Sequence, residues 1–489
     1  MRLEFRVTGL AVCASALLYA QVPPESGPQP TRATQLPLSG RGVTQPAASP
    51  GAVPSSQTPV ASFALSLEEA IRRGMAANLS MLASSASLRQ AHGVVNQERS
   101  NLLPTVTAAL LADDQQSDLA ALGFSAIKLP SFDGVSFNFP SVIGPYHYFD
   151  LRAGLSQALL DVARRRNWRA SQVSEKAVQL GADDARDVVV AAVTTGYLDV
   201  LAAAARVDAA RAQVAAAQAV LQQATDRHAS GLAARIDVTR TQVELITNRQ
   251  RLTSDENDLA KRKIALARLI GLAPGQPFTL TDSMVFAPLA DLTVEQAIER
   301  ALAGRADLKA AQAQVHAAEA ARAAVEAERY PTASVNADYG VIGTGPENSH
   351  GTFTLTGSLR VPLFQGGRVA ADREQAEAVL SQRRAEYREI GSRIDAEVRS
   401  AFLDLDSAAT QVAAARSNRD LANETLDQAR DRFAAGVADT VEVVQAQESV
   451  AAAEQDLVSA LYAHNRAKAD LARALGETDR NIKQFMGRP

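Results

Sequence analysis

The chain is one unit written twice. Leu65-Ser66-Leu67-Glu68-Glu69-Ala70-Ile71 returns as Leu292-Thr293-Val294-Glu295-Gln296-Ala297-Ile298, 227 positions on, and Pro104 falls on Pro331 at the same offset. Leu159-Leu160 meets Leu363-Phe364 at an offset of 204. Tyr197-Leu198-Asp199 meets Phe402-Leu403-Asp404, Arg227 and Gly231 meet Arg432 and Gly436, and Gly271 meets Gly476, all at 205. The first copy therefore holds 227 − 204 = 23 extra residues between Pro104 and Leu159. A duplication of about 200 residues constrains the fold severely, because whatever one copy builds the other must build again.

Most of each copy reads as helix. No proline occurs from Tyr146 to Ala273 or from Leu363 to Arg488. Within the first tract Val193, Val200, Val207, Val214 and Leu221 are seven apart, and after Gly231 a new register runs Val238, Leu245, Leu252, Leu259 and Leu266. The second tract repeats this with Val398, Leu405, Val412, Arg419 and Leu426, then Val443, Val450, Leu457, His464 and Leu471. Sustained sevenfold spacing predicts coiled-coil packing. Alanine makes up 95 of the 489 residues, which favours helix and lets helices approach closely. Each tract thus predicts a long helix (156–228 and 363–435), a turn at Gly231 or Gly436, and a returning helix reaching Gly271 or Gly476. A shorter helix is expected before Pro104 and before Pro331. Two short helices laid end to end would match one long one, with residues 272–291 crossing at mid-height.

The remaining part of each copy alternates. Val335, Ala337, Tyr339 and Val341 interleave with Ser334, Asn336, Asp338 and Gly340, and Phe353, Leu355, Gly357, Leu359 and Val361 interleave with Thr354, Thr356, Ser358 and Arg360. The first copy shows Val106, Ala108 and Leu110, then Phe149, Leu151, Ala153 and Leu155. Such period-two runs predict hairpins over 105–155 and 332–361 with one apolar face. Their length suits a bilayer when tilted. Seven of the 23 aromatic residues fall between Phe124 and Phe149, as an interfacial girdle would. A soluble hairpin pair with a solvated face is the alternative. Four strands cannot close a spanning barrel, and lipid does not tolerate open edges, so membrane hairpins would require several copies in a ring.

The N-terminus reads as address and tether. Arg2 and Arg6 precede an apolar run from Val7 to Ala20, a secretory signal pattern over 1–20. Leu10-Ala11-Val12-Cys13 leaves open a lipidated cysteine instead. Residues 21–62 hold nine of the twenty prolines and predict a disordered linker. Repeat 1 then spans 63–291 and repeat 2 spans 292–489. A net charge of −4 argues against nucleic-acid binding through bulk charge. A single cysteine removes a disulfide scaffold and any CxxC site. No ordinary transmembrane helix is expected, and no metal site, cofactor motif or catalytic constellation stands out, so an enzyme is not expected.

The order of helix, proline, hairpin, long helix, glycine turn, returning helix and Leu-Gly, given twice over about 63–480, resembles the TolC-like outer membrane efflux proteins. Arg432-Phe-Ala-Ala-Gly436-Val-Ala-Asp-Thr-Val-Glu442-Val443-Val444-Gln445 and Arg227-His-Ala-Ser-Gly231-Leu-Ala-Ala-Arg-Ile-Asp237-Val238 carry the signature. Val361-Pro362-Leu363-Phe364-Gln365-Gly366-Gly367 looks like the family's strand-to-helix junction. The resemblance implies a mainly helical protein with membrane β: a homotrimer whose twelve strands form an outer-membrane barrel continuous with a periplasmic coiled-coil barrel. It implies that the hairpin tips dock on a periplasmic adaptor linked to an inner-membrane pump. It implies docking at Gly231, Leu232 and Ala233 and at Gly436, Val437 and Ala438, although both glycines could simply end helices. It implies a gate at Glu442, Gln445 and Asp237, where three glutamates would ring the axis. The family's tip tyrosine and arginine are replaced by Phe433 and Ala438. The cargo class (drug, metal or polypeptide) stays open. A rival reading is a periplasmic coiled-coil scaffold or adaptor without a channel. His464, at a heptad position, reads as a buried hydrogen-bonded residue, and Arg164-Arg165-Arg166 with Trp168 as a solvated run or an interfacial anchor.

Overall fold

The computed structural model describes residues 62–119, 121, 141–273, 275–288, 292–435, 437 and 440–478. The expected signal over 1–20, all but the last residue of the expected linker over 21–62, and most of the aromatic stretch of the first hairpin lie outside them.

Apart from two short strands (Phe63–Leu65 and Phe278–Leu280), which only repeat 1 shows among the described residues, each repeat runs in the same order. Repeat 1 holds β1 (Phe63–Leu65), α1 (Leu67–Ala77), α2 (Leu79–Ser100), β2 (Thr105–Asp118), β3 (Val142–Leu160), α3 (Val162–Ala229), α4 (Arg235–Leu269) and the linking strand β4 (Phe278–Leu280). Repeat 2 holds α5 (Val294–Gly304), α6 (Ala306–Glu326), β5 (Thr332–Gly343), β6 (Ser349–Arg360), α7 (Arg368–Ala434) and α8 (Thr440–Leu475). Helices of 11, 22 and 35 residues thus accompany one of 68, and helices of 11, 21 and 36 accompany one of 67. At 1.5 Å per residue the long helices reach roughly 100 Å.

Alanine and heptad spacing do what the pattern requires. None of the twenty heptad residues is exposed, Arg419 and His464 included. The two repeats build matching cores. One gathers Ala70, Val193, Val200 and Leu266, and the other gathers their counterparts Ala297, Val398, Leu405 and Leu471. A third core lies at the tips, where Val220 of α3 meets Leu426, Ala429 and Phe433 of α7 and Val443 and Ala446 of α8. One 18-residue stretch of α3 is apolar enough to cross a bilayer, against expectation, but 56% of it is buried in the fold.

Two expectations need correction. The helix before each proline is broken, because Asn78 and Arg305 take extended conformations. Asn78 caps the next helix through a bond from Ser80 N at 2.8 Å. Arg305 cannot cap. It lies buried and forks onto Asp307 at 3.0 and 2.7 Å, contacts Glu397, and Asp307 in turn accepts from Leu308 N. The long helices also begin late, at Val162 and Arg368 rather than 156 and 363. Ser156 to Leu160 remain strand because they pair with Asn336 to Ala333 across the repeat boundary.

The four long strands form one antiparallel sheet in the order β2-β3-β5-β6. Its register aligns Val106, Leu155, Ala337 and Leu355 in one row and Ala108, Ala153, Tyr339 and Phe353 in the next. This apolar face is open: Phe353 is 79% and Leu355 is 70% exposed. The other face is polar. There Arg152 on β3 contacts Asp150 at 3.3 Å, pairs with Asp338 on β5, and donates to Thr352 Oγ1 on β6 at 3.2 Å. Edges β2 and β6 have no partner strand among the described residues. A twelve-residue strand spans roughly 40 Å along its axis, enough for the hydrocarbon core at a 45° tilt.

The segment that follows α4 folds back onto the start of repeat 1. Strand β1 pairs in parallel with β4. Tyr197 Oη donates to Leu65 O at 3.0 Å and lies 2.6 Å from Asp282 Oδ2, which also accepts from Leu67 N at 2.9 Å.

Candidate gate and docking tip

The first tip is made by chain reversal between α3 and α4. Leu232 N donates to Arg227 O at 2.8 Å, the six-to-one bond that closes a helix, and Gly231 supplies the left-handed residue at φ +75°. A Cβ at Gly231 would meet nothing within 4 Å, so the need is conformational and the space beside it is open. Leu232 is 72% exposed and Ala233 is half-buried. In the second tip Val437 N donates to Arg432 O at 3.0 Å, the same bond 205 residues on, and Val437 is likewise exposed. Gly436 and Ala438 lie outside the described residues.

The three expected gate residues are placed separately. Asp237 stands in the first turn of α4, accepts from Ala234 N at 3.2 Å and lies 4.0 Å from Arg240. Its carboxylate therefore serves its own helix start, where an anion is stabilised. Glu442 stands in the first turn of α8 and pairs with Arg432 on α7 at 3.3 Å. Gln445 is exposed three residues further along. Two residues outside the expected set join the hairpins. Arg227 on α3 donates from Nη1 to Phe433 O on α7 at 2.6 Å, and its guanidinium carbon sits 4.4 Å from the centre of the Phe433 ring. The Arg-x-x-x-Gly spacing marks both arginines in the sequence, yet nothing there says that one reaches across 206 residues.

A second polar cluster sits in the last third of α8, against the segment that links the repeats. His464 is 1% exposed and packs on Phe286 at 4.6 Å between ring centres, with its Nδ1 unpartnered. It is buried as expected, but this nitrogen lacks the expected hydrogen bond. Asn465 donates to Val285 O at 3.3 Å, and buried Lys468 donates to Ala287 O at 3.0 Å. Burial lowers the Lys468 ammonium from its usual range. Burial, then Lys468 and Arg416, lower His464 from 6.5 to about 4. These groups hold the crossing segment against α8.

A sheet with one apolar and one polar face, continuous with long antiparallel helices that end in tight turns, defines an outer-membrane channel protein with a helical extension. The family described as outer membrane efflux protein matches residues 70–272 and 297–477, one stretch in each repeat, and the chain belongs to it. It is 24% identical to the pyoverdine export outer membrane protein OpmQ of Pseudomonas aeruginosa, over 86% of this chain and 87% of that one. It is 23% identical to the toluene efflux pump outer membrane protein TtgF of Pseudomonas putida, over 78% and 76%. Among solved structures, the outer-membrane channel CmeC of Campylobacter jejuni superposes with a TM-score of 0.71 at 15% identity, over 86% and 89%. The outer membrane protein VceC of Vibrio cholerae gives 0.68 at 19%, over 84% and 96%.

Proposed function

We propose that three copies of this chain form a passive, gated exit duct through the outer membrane, serving an efflux or secretion system energised elsewhere. The observation that carries this reading is the sheet. Its apolar face and two free edges can be satisfied in lipid only by closure, and its polar face then lines a pore. Exposed Ile236, Val243, Ile246 and Ile264 on α4, and Leu403 and Leu421 on α7, supply apolar edges by which copies can join below the sheet. A periplasmic adaptor would seat its own helices at the exposed tips around Leu232 and Val437. Docking would part the hairpins, with Glu442, Gln445 and Asp237 bordering the aperture. No catalytic step is required of the chain, and cargo choice would belong to the pump, since relatives of this fold carry names as different as pyoverdine and toluene export. Residues 1–62 fit export and tethering.

Membrane fractionation followed by conductance in a planar bilayer tests the proposal. Outer-membrane recovery with discrete channel events is expected. A protein that stays in the soluble fraction and never conducts would favour the scaffold reading and overturn the duct.

A further inference from the structure

The charge on the sheet is confined to one face and mostly to one place. Across the paired block of β2 (105–112), β3 (149–160), β5 (332–343) and β6 (349–360), the acids and arginines are Asp150, Arg152, Asp338 and Arg360. All of them are even-numbered on strands whose apolar rows are odd-numbered, so they share the polar face. Arg360 stands beside Thr332, in the row next to the helices. The other three gather in the half of the sheet further from the helices, and their arrangement is built. Arg152 uses every guanidinium nitrogen: Nε donates to Asp150 Oδ2 at 3.3 Å, Nη1 to Asp338 on β5, and Nη2 to Thr352 Oγ1 on β6 at 3.2 Å. This reach crosses β5 at Gly340, which pairs with Arg152 on one side and Thr352 on the other. A Cβ at Gly340 would lie 2.5 Å from Leu151 O and 3.0 Å from Arg152 Cβ, so the crossing requires glycine. One arginine answers two carboxylates, and the cluster keeps a net charge of −1 on side chains still 19 to 28% exposed.

We infer that Asp150, Arg152 and Asp338 form a charge filter in the barrel wall: one such cluster from each copy rings the outer half of the pore and passes cations in preference to anions. The inference rests on the duct reading above. It bears on cargo, since an anionic solute meets repulsion there and a cationic one attraction. Twelve strands tilted at about 40° put the wall roughly 10 Å from the axis. Three unit charges at that distance, acting through water and screened over about 10 Å at about 0.1 M salt, change the cation-to-anion permeability ratio about fourfold.

Reversal potentials under a potassium chloride gradient in planar bilayers test this on wild type, Asp338→Asn, Arg152→Gln and the control Asp114→Asn, with the yield of assembled protein read alongside. Asp338→Asn keeps a carbonyl acceptor for Arg152 and removes one charge. Its cation-to-anion ratio should fall about fourfold at about 0.1 M salt and stay near wild type at about 1 M, where screening shortens to about 3 Å. Arg152→Gln should move the ratio by a similar factor in the opposite direction. Asp114 lies at the outer end of β2 on the other face, 74% exposed and in register with His147, so its substitution should leave the ratio unchanged. A cluster that only braces β3, β5 and β6 would lower the yield of both cluster variants without opposite shifts in the ratio. An unchanged ratio in Asp338→Asn at the lower salt overturns the inference, as does an equal fall in Asp114→Asn or a shift of the same sign in both cluster variants. If Arg152→Gln fails to assemble, Asp338→Asn decides alone. A wild-type protein that never conducts removes the duct reading instead, and the inference with it.

Discussion

Replacing His464 by leucine isolates one buried titration on α8. The imidazole is 1% exposed, stacked on Phe286, and faced by Lys468 on its own helix and Arg416 on α7. Burial first, and these two cations second, hold it near 4 rather than 6.5. The folded chain thus keeps a neutral ring across a range in which the unfolded chain takes up a proton. Stability linked to this group is complete above about pH 6.5 and is lost as pH falls towards 4. The shift corresponds to about 3 kcal/mol at 1.36 kcal/mol per unit. Leucine is a suitable replacement because Leu259 holds the equivalent place in repeat 1. Denaturant unfolding in detergent, followed by far-ultraviolet circular dichroism from neutral pH to about 4, measures both proteins. Subtracting the variant from wild type cancels every other titration and leaves a pH-independent offset for the lost stacking. The difference should fall by about 3 kcal/mol between about pH 6.5 and 4 and be flat above. A difference that stays flat down to pH 4 would refute the reasoning.

Other outcomes are equally concrete. Arg305→Ala should cost about 3 kcal/mol in denaturant unfolding, since it strands the partly buried Asp307 carboxylate. Burial alone would raise that carboxyl, but the Arg305 fork outweighs it and holds it low, so the deficit should shrink as pH falls below about 4. Tyr197→Phe should cost about 1 to 2 kcal/mol by releasing Leu65 O and Asp282, and an unchanged midpoint would dismiss the crossing as a structural tie. Leu355→Arg should cut the yield of membrane-inserted oligomer, at about 2 to 4 kcal/mol for a charge in mid-bilayer, whereas Thr354→Arg on the polar face should insert normally. Equal yields would contradict the assignment of faces. Glu442→Ala should alter cation preference in single-channel recordings, and unaltered preference would remove it from the aperture.

Periodicity carried most of the fold. Val193, Val200 and Val207 announce a helical stripe, and Val335, Ala337 and Tyr339 a strand face, because each pattern is local and repeated. Breaks were harder to read. Asn78 is a capping residue two places before Ser80, a signal visible in retrospect, but Arg305 breaks its helix with a buried fork to Asp307 and Glu397 that no local rule predicts. Ser156 to Leu160 read as helix until pairing with β5 overrides their propensity. Gly231, Asp237 and Glu442 could be placed beside the turns because their spacing repeats, while their part in docking or gating stays a proposal. Arg227 on Phe433 was not, because a contact between repeats leaves no period in either one.

The junction of β3 with β5 also sets a timetable. Strand β3 ends at Leu160 and β5 begins at Thr332, so the seam of the sheet joins segments separated by the whole first helical hairpin, the linking strand β4 and the first two helices of the second repeat. The first hairpin can zip early, since its strands are neighbours in the chain, but it must then wait with an apolar face and a bare edge until the second has crossed into the same compartment. Long-range closure is slow and leaves such edges prone to mispairing meanwhile. A truncated chain that stops before residue 332 would hold only this waiting hairpin. Insertion into the membrane is therefore an event for finished chains, and the duplication that simplifies the architecture also delays its assembly.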